Sequence, residues 1–191
     1  THLLYLHGFR SSPQSAKARS VGALALARAP GLTWWCPQLP PSPRAAMALV
    51  AQGIADWPHQ RMSVVGSSLG GFYATWVAEQ TGCRAVLLNP AVDPARDLAA
   101  HIGTHSLWHQ PLEQFYFAPE FVGELRALQT GPLTDAQRYY AIIAQGDEVL
   151  DWREMQARYA DAQTRVLEGS DHALSDFAPL LAPLREVLQL A

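Results

Sequence analysis

Met62-Ser63-Val64-Val65-Gly66-Ser67-Ser68-Leu69-Gly70-Gly71-Phe72-Tyr73-Ala74-Thr75-Trp76 is the stretch whose reading decides the fold. Met62 to Ser67 reads as a short apolar strand, and Leu69 to Gln80 as a helix stopping near Gly82. Between them, Gly66 to Gly70 match G-x-S-x-G with Ser68 at the centre. A serine that projects from so tight a strand-to-helix turn carries strained torsions. The residues two before and two after it crowd each other, so glycines suit both places. Gly71 lets the helix start pack closely, and the helix N-terminus favours negative charge developing nearby. A Gly-rich turn without chemistry shares the bare pattern; the strand before it and the helix after it make Ser68 the candidate nucleophile over its neighbour Ser67.

Outward from this turn the chain alternates strand-like and helix-like pieces. Leu3–His7, Thr33–Cys36, Ala85–Leu88, Tyr139–Gln145 and Thr164–Leu167 read as further strands. Ser15–Ala29, Arg44–Trp57, Trp152–Ala160 and Asp176–Leu190 read as helices, the last with an uncertain start at Pro179 and Pro183. Pro37 to Pro43 is a Pro-rich connector. The strands are nearly continuous apolar runs, as in sheets covered by helices on both faces. The fold class is therefore α/β, a mostly parallel sheet of six or seven strands, and ligands belong at the strands' carboxyl ends. Residues 93–138 are longer than a simple crossover and read as a lid-like insertion in a single domain, residues 1–191; an ordinary crossover with one extra helix is the alternative.

Composition narrows the class. The chain has 191 residues, 49% hydrophobic and 16% charged, with net charge -3. It is long enough for one core and too apolar for disorder. No run of Lys or Arg offers a phosphate-binding face, so nucleic acid is excluded as a partner. No apolar stretch reaches the roughly 18 residues of a membrane helix, and Thr1–His7 is too short and strand-like for a signal peptide. Cys36 and Cys83 are too few for a disulfide framework and read as buried free thiols of a cytoplasmic protein, monomeric or homodimeric.

A nucleophilic serine needs a base and an acid that orients it. In this strand–turn–helix setting the chain order is Ser, acid, His. Asp147 follows the Tyr139–Gln145 strand, and His172 follows the Thr164–Leu167 strand, so both order and position fit. Among rival acids, Asp151 suits an N-cap for the Trp152 helix, Glu148 is expected in solvent, and Asp171 adjoins His172 too closely to point well. Backbone N–H groups of Leu69, after the nucleophile, and Phe9, after the first strand, are placed to form an oxyanion hole. His7 sits wrongly for the base and reads as bonded within its loop.

His7-Gly8-Phe9, Ser11-Ser12-Pro13 and Ser15-Ala16-Lys17-Ala18 resemble the YqiA-type esterases, small bacterial proteins of the α/β-hydrolase fold. So do Pro37 to Pro41, Val65 to Trp76, Asn89-Pro90-Ala91-Val92, Gly146 to Asp151 and His172-Ala173, so the resemblance spans nearly the whole chain. It implies hydrolysis of short acyl esters or thioesters by Ser68, Asp147 and His172, without a cofactor. His101 to Phe117 departs from the family pattern and bears on substrate preference. The alternatives are an acyl-CoA thioesterase with the same three residues, a catalytically silent binding protein, and a peptidase, for which the chain has no gripping domain.

Other groups are weaker. His101, His105 and His109, with Asp97, fall at helical spacing that would suit a metal, but Gly103 and Pro111 oppose a helix there, so no metal site is expected. Leu107, Trp108, Phe115, Tyr116 and Phe117 suit an acyl pocket or the insertion's own core. Arg10 and Lys17 are expected in solvent, with an anionic substrate group as the alternative partner.

Overall fold

A computed structural model describes residues 1–190. The strands are β1 His2–Leu6, β2 Thr33–Trp35, β3 Met62–Ser67, β4 Arg84–Leu88, β5 Gly103–Ser106, β6 Gln114–Phe117, β7 Tyr139–Ala144 and β8 Gln163–Leu167. The helices are α1 Ala16–Arg28, α2 Pro43–Gly53, α3 Leu69–Thr81, α4 Pro94–Leu98, α5 Pro119–Ala127, α6 Trp152–Arg158 and α7 Leu181–Val187. Six strands form one sheet in the order β2-β1-β3-β4-β7-β8, every pair parallel. The apolar strand runs predict such a parallel α/β sheet, and its strand order with helices on both faces is that of the α/β-hydrolase architecture. The central strand β7 is buried at every position, whereas the edge strand β8 is exposed over its first three residues.

Each face of the sheet has its own core. Leu4, Leu6, Val64, Leu87, Ala141 and Ile143 face α2, α3, α5 and α6. Leu3, Tyr5, Val65, Val86, Leu88 and Ile142 face α1 and α7. Alternate residues of each strand supply the two faces, as the pleat requires.

The sequence-read boundaries shift for local reasons. Ser15 and Ser42 become N-caps, each accepting a bond from the N–H three residues on, so α1 and α2 begin one residue after them. The helix expected over Arg44–Trp57 stops at Gly53, where a Cβ would lie 2.1 Å from the Trp35 ring. The expected Asp176–Leu190 helix is shorter. A single 3-10 turn, Ala178–Leu180, leads into α7, because prolines 179 and 183 remove two backbone donors.

Residues 93–138 hold α4, the antiparallel β5–β6 hairpin, α5 and two 3-10 turns. The histidine row is not a helix face. His101 ends a 3-10 turn, His105 lies in β5, and His109 lies between the two strands. Gly103, with φ of 140°, breaks the helical path between the first two. Among the described residues no group of three or more His, Cys, Asp or Glu is arranged to hold a metal ion, and no helix is long and apolar enough to cross a membrane.

A Cβ on Gly66 would meet the Gly70 carbonyl oxygen at 2.1 Å, and one on Gly70 would meet the Leu6 carbonyl oxygen at 2.0 Å. The two glycines allow β1, β3 and α3 to meet at the turn, and no flexible side chain is there to yield. Gly66→Ala is therefore expected to destabilise the fold by about 3 kcal/mol or more. Urea unfolding of the two proteins measures it; a loss under about 1 kcal/mol would show that the turn can open.

Candidate active site

Strand numbering reverses direction across the β1/β3 pair, with β2 on one side and β4 on the other. Parallel sheets bind ligands at such a reversal, beyond the strands' carboxyl ends. Ser68 follows β3 directly, with φ 56° and ψ −121°, a strained conformation for a residue with a side chain. Neighbouring backbone holds it there. Its N–H donates to the Leu88 carbonyl at 2.9 Å, and its carbonyl accepts from Ala91 at 3.0 Å and Gly71 at 2.8 Å. The loop after β1 lies alongside, since a Cβ on Gly8 would sit 3.2 Å from the Ser68 Cβ.

Asp147 and His172 are brought together although 25 residues apart. The His172 ring Nδ1–H donates to Asp147 Oδ2 at 2.7 Å, with the carboxylate side chain fully buried and the imidazole 21% exposed. Burying a bare carboxylate would cost several kcal/mol. Here Oδ1 accepts from the N–H groups of Val149, at 2.8 Å, and Leu150, at 2.7 Å, while Oδ2 takes the imidazole. Three donors thus meet the two buried carboxyl oxygens. With Nδ1 committed, Nε2 is the nitrogen left for a hydroxyl.

The rival acids have other work. Asp151 caps α6, accepting from Arg153 N at 2.9 Å. Asp171 accepts from the N–H of Ser175 at 2.8 Å and from its hydroxyl at 2.6 Å. Glu148 is exposed as expected, yet its Oε2 accepts from the His172 N–H at 3.0 Å, a role the sequence reading missed. His7 is buried and bonded inside its own region: Nδ1–H donates to the Gly8 carbonyl at 3.0 Å, and Nε2 accepts from Leu39 N at 3.1 Å. Burial lowers its pKa, which keeps the ring neutral as those bonds require.

Neither Arg10 nor Lys17 is simply solvated. Arg10, with φ 59°, donates from Nε to the Ser106 carbonyl at 2.9 Å and stacks its guanidinium 3.9 Å above the Trp108 ring. The Trp108 N–H returns a bond to the Arg10 carbonyl at 2.9 Å, so the loop after β1 is fastened to the hairpin. Lys17 donates to the Ala173 carbonyl, beside His172. Burial lowers its pKa, with Asp171 and Asp147 acting in the opposite direction.

A cavity of about 470 Å³ opens between the β1 loop, the Pro-rich connector and the hairpin. Gly8, Phe9 and Leu69 lie at the Ser68 side, and Leu39, Leu49, Leu107 and Phe115 are among its apolar walls. Of the expected pocket residues, Leu107 and Phe115 line it, Trp108 and Tyr116 point outward, and Phe117 is core. The Phe9 ring stands edge-on to Phe115 at 5.6 Å and Phe117 at 5.4 Å.

Fold and site together define an α/β-hydrolase that gathers a serine, a histidine and an aspartate at one sheet edge. Residues 2–189 match the model of an uncharacterised protein family, UPF0227, and the chain belongs to that family. Solved structures share the fold at low identity. A protein from Agrobacterium vitis S4 is 17% identical with a TM-score of 0.78, over 98% of this chain and 87% of that one. Alpha/beta hydrolase domain-containing protein 10 from mouse is 14% identical with a TM-score of 0.76, over 98% and 89%. Est1E from Butyrivibrio proteoclasticus, solved with ferulic acid bound, is 12% identical with a TM-score of 0.69, over 98% and 86%.

The two cysteines lie outside this chemistry and are unpaired. Burial pushes the Cys36 thiol up to about 12 and raises that of Cys83 as well. A thiol raised in the fold stays protonated, and so unreactive, at pH values where an unfolded cysteine already ionises. At pH 8.5 a thiol-disulfide reagent is expected to label the native protein at under a tenth of the rate seen in guanidinium. Cys83 is buried as expected, whereas Cys36 is only half-buried; equal rates would contradict the shielding of both groups.

Proposed function

We propose that the protein is a serine esterase of short-chain carboxylic esters or thioesters, working through Ser68, His172 and Asp147. The observation that carries this reading is the 2.7 Å bond from His172 Nδ1 to the buried Asp147 carboxylate. It fixes the tautomer whose Nε2 can take a proton from the Ser68 hydroxyl. The Ser68 oxygen attacks the acyl carbonyl and its proton passes to Nε2. The N–H groups of Phe9 and Leu69, to which no protein acceptor is bonded among the described residues, receive the developing oxyanion. The imidazolium returns its proton to the leaving alcohol or thiol. Water then attacks the acyl-enzyme by the same path, and no cofactor is needed.

The acyl group fits the apolar cavity, which begins at Phe9 and Leu69. The insertion 93–138 acts in this reading as a lid whose hairpin forms the cavity's outer wall. The motifs at Val65–Trp76 and Gly146–Asp151 support a likeness to the YqiA-type esterases. The enzyme is read as cytoplasmic, monomeric or homodimeric, with a small ester or thioester as its partner.

Hydrolysis of p-nitrophenyl esters across acyl lengths, beside acyl-CoA thioesters, tests the reading. Ser68→Ala should lower kcat by about 10⁴-fold or more, and a fluorophosphonate should label the wild type alone. A wild type inert to every ester, thioester and probe would leave a binding protein on a hydrolase scaffold. Leu107→Trp, which fills the cavity wall, should reduce kcat/KM for hexanoate at least tenfold more than for acetate; an even loss would place the acyl group elsewhere.

A further inference from the structure

The loop that carries His172 has almost no structure of its own. Between β8 and the 3-10 turn at Ala178, no residue is helical or extended in a sheet. Its backbone is nevertheless pinned at consecutive residues by side chains from three distant parts of the chain. Asn89 Nδ2 donates to the Asp171 carbonyl at 3.0 Å and to the His172 carbonyl at 3.2 Å. Glu148 Oε2 accepts the His172 N–H at 3.0 Å. Lys17 Nζ donates to the carbonyl of Ala173.

Asn89 is the centre of this arrangement. It directly follows β4, is 0% exposed, and sits at φ 44°. Its Oδ1 accepts the Ala144 N–H at 2.7 Å, and its own N–H donates to the Ile142 carbonyl at 2.9 Å. Ala144 ends β7 and its carbonyl accepts the Asp147 N–H at 3.3 Å. One amide group therefore spans from the strand end that carries the acid to the loop that carries the base. Only a side chain with donors at one side and an acceptor at the other can do this at that length. A carboxylate has no donor, an aliphatic group has neither, and glutamine is one methylene too long.

We propose that Asn89 and Glu148 are positioning residues that set the His172 backbone so that its imidazole meets Asp147. This rests on the esterase reading for its kinetic consequence and on the structure alone for its geometric one. Two measurements keep them apart. The His172 ring N–H, bonded to a buried carboxylate, should give a strongly downfield proton resonance in wild type. It should be weakened or lost in Asn89→Asp and in Glu148→Ala, whether or not any ester is turned over. In the ester assay Asn89→Asp should lower kcat by about 100-fold, as a displacement of around 1 Å in a catalytic group does. KM should stay within about twofold, because neither residue lines the cavity. Glu148→Ala should lower kcat about tenfold, and Glu148→Gln should restore it, since an amide oxygen still accepts the His172 N–H. If Asn89→Asp does not fold, the Glu148 pair decides. Wild-type kcat and an unchanged resonance in Glu148→Ala would overturn the proposal. An inert wild type that still shows the resonance, lost in the variants, would overturn the esterase reading and leave the positioning role intact.

Discussion

The whole site hangs on one strained turn. Ser68 sits in a backbone conformation that costs on the order of 1–3 kcal/mol, and nothing in its own side chain compensates. The neighbours hold it. Leu88 and Ala91, at and beyond the end of β4, bond its N–H and carbonyl, while Gly66 and Gly70 let β1 and α3 close around it. Four of the five non-glycine residues with positive φ lie around the sheet's catalytic edge: Arg10, Ser68, Asn89 and Leu174. The strain is thus gathered where the strands end, and two deep cores on either face of the sheet offset it.

Around that turn the parts divide by what each strand end supplies. The ends of β1 and β3 meet across the reversal in strand order, which brings the Phe9 loop to Ser68. The ends of β7 and β8 are adjacent in the sheet, which brings Asp147 and His172 within one hydrogen bond. The end of β4 lies between these pairs, and Asn89 uses that place to tie the second pair together.

The hairpin inserted after β4 contributes in a different way. It is fastened to the Phe9 loop by Arg10 and by edge-on aromatic contacts, so it both walls the cavity and steadies the loop beside Ser68. Its outer side carries large apolar side chains, with Leu112 99% exposed and Trp108 and Tyr116 also open to solvent. Held at its tip by Arg10 and along β6 by the Phe9 ring, it ties the wall of the cavity to the loop beside Ser68.

The parallel sheet, the turn at Ser68, and the Asp147 and His172 positions were legible in the sequence. Each is marked by a local pattern: apolar runs, small residues at fixed spacing, a polar residue just past a strand. The fates of Arg10, Lys17, Glu148 and Asn89 were not legible. Each is settled by a partner at least 24 residues away in sequence, and an exposed Glu148 looks like any solvated carboxylate until the His172 N–H is seen on it. Asn89 before Pro90 did carry a hint, an asparagine at a strand end where positive φ is tolerated, but not what its amide would bond. The histidine spacing in 101–109 suits a helix face, but Gly103 and Pro111 already oppose one in the sequence; what the sequence did not show is the pairing of β5 with β6 that replaces it. Sequence alone determined which residues must sit at the strand ends, because tight turns and buried strands impose local steric rules. Only the tertiary structure decided how those ends are held to one another, because hydrogen bonds between distant loops depend on sheet order and leave no local periodicity.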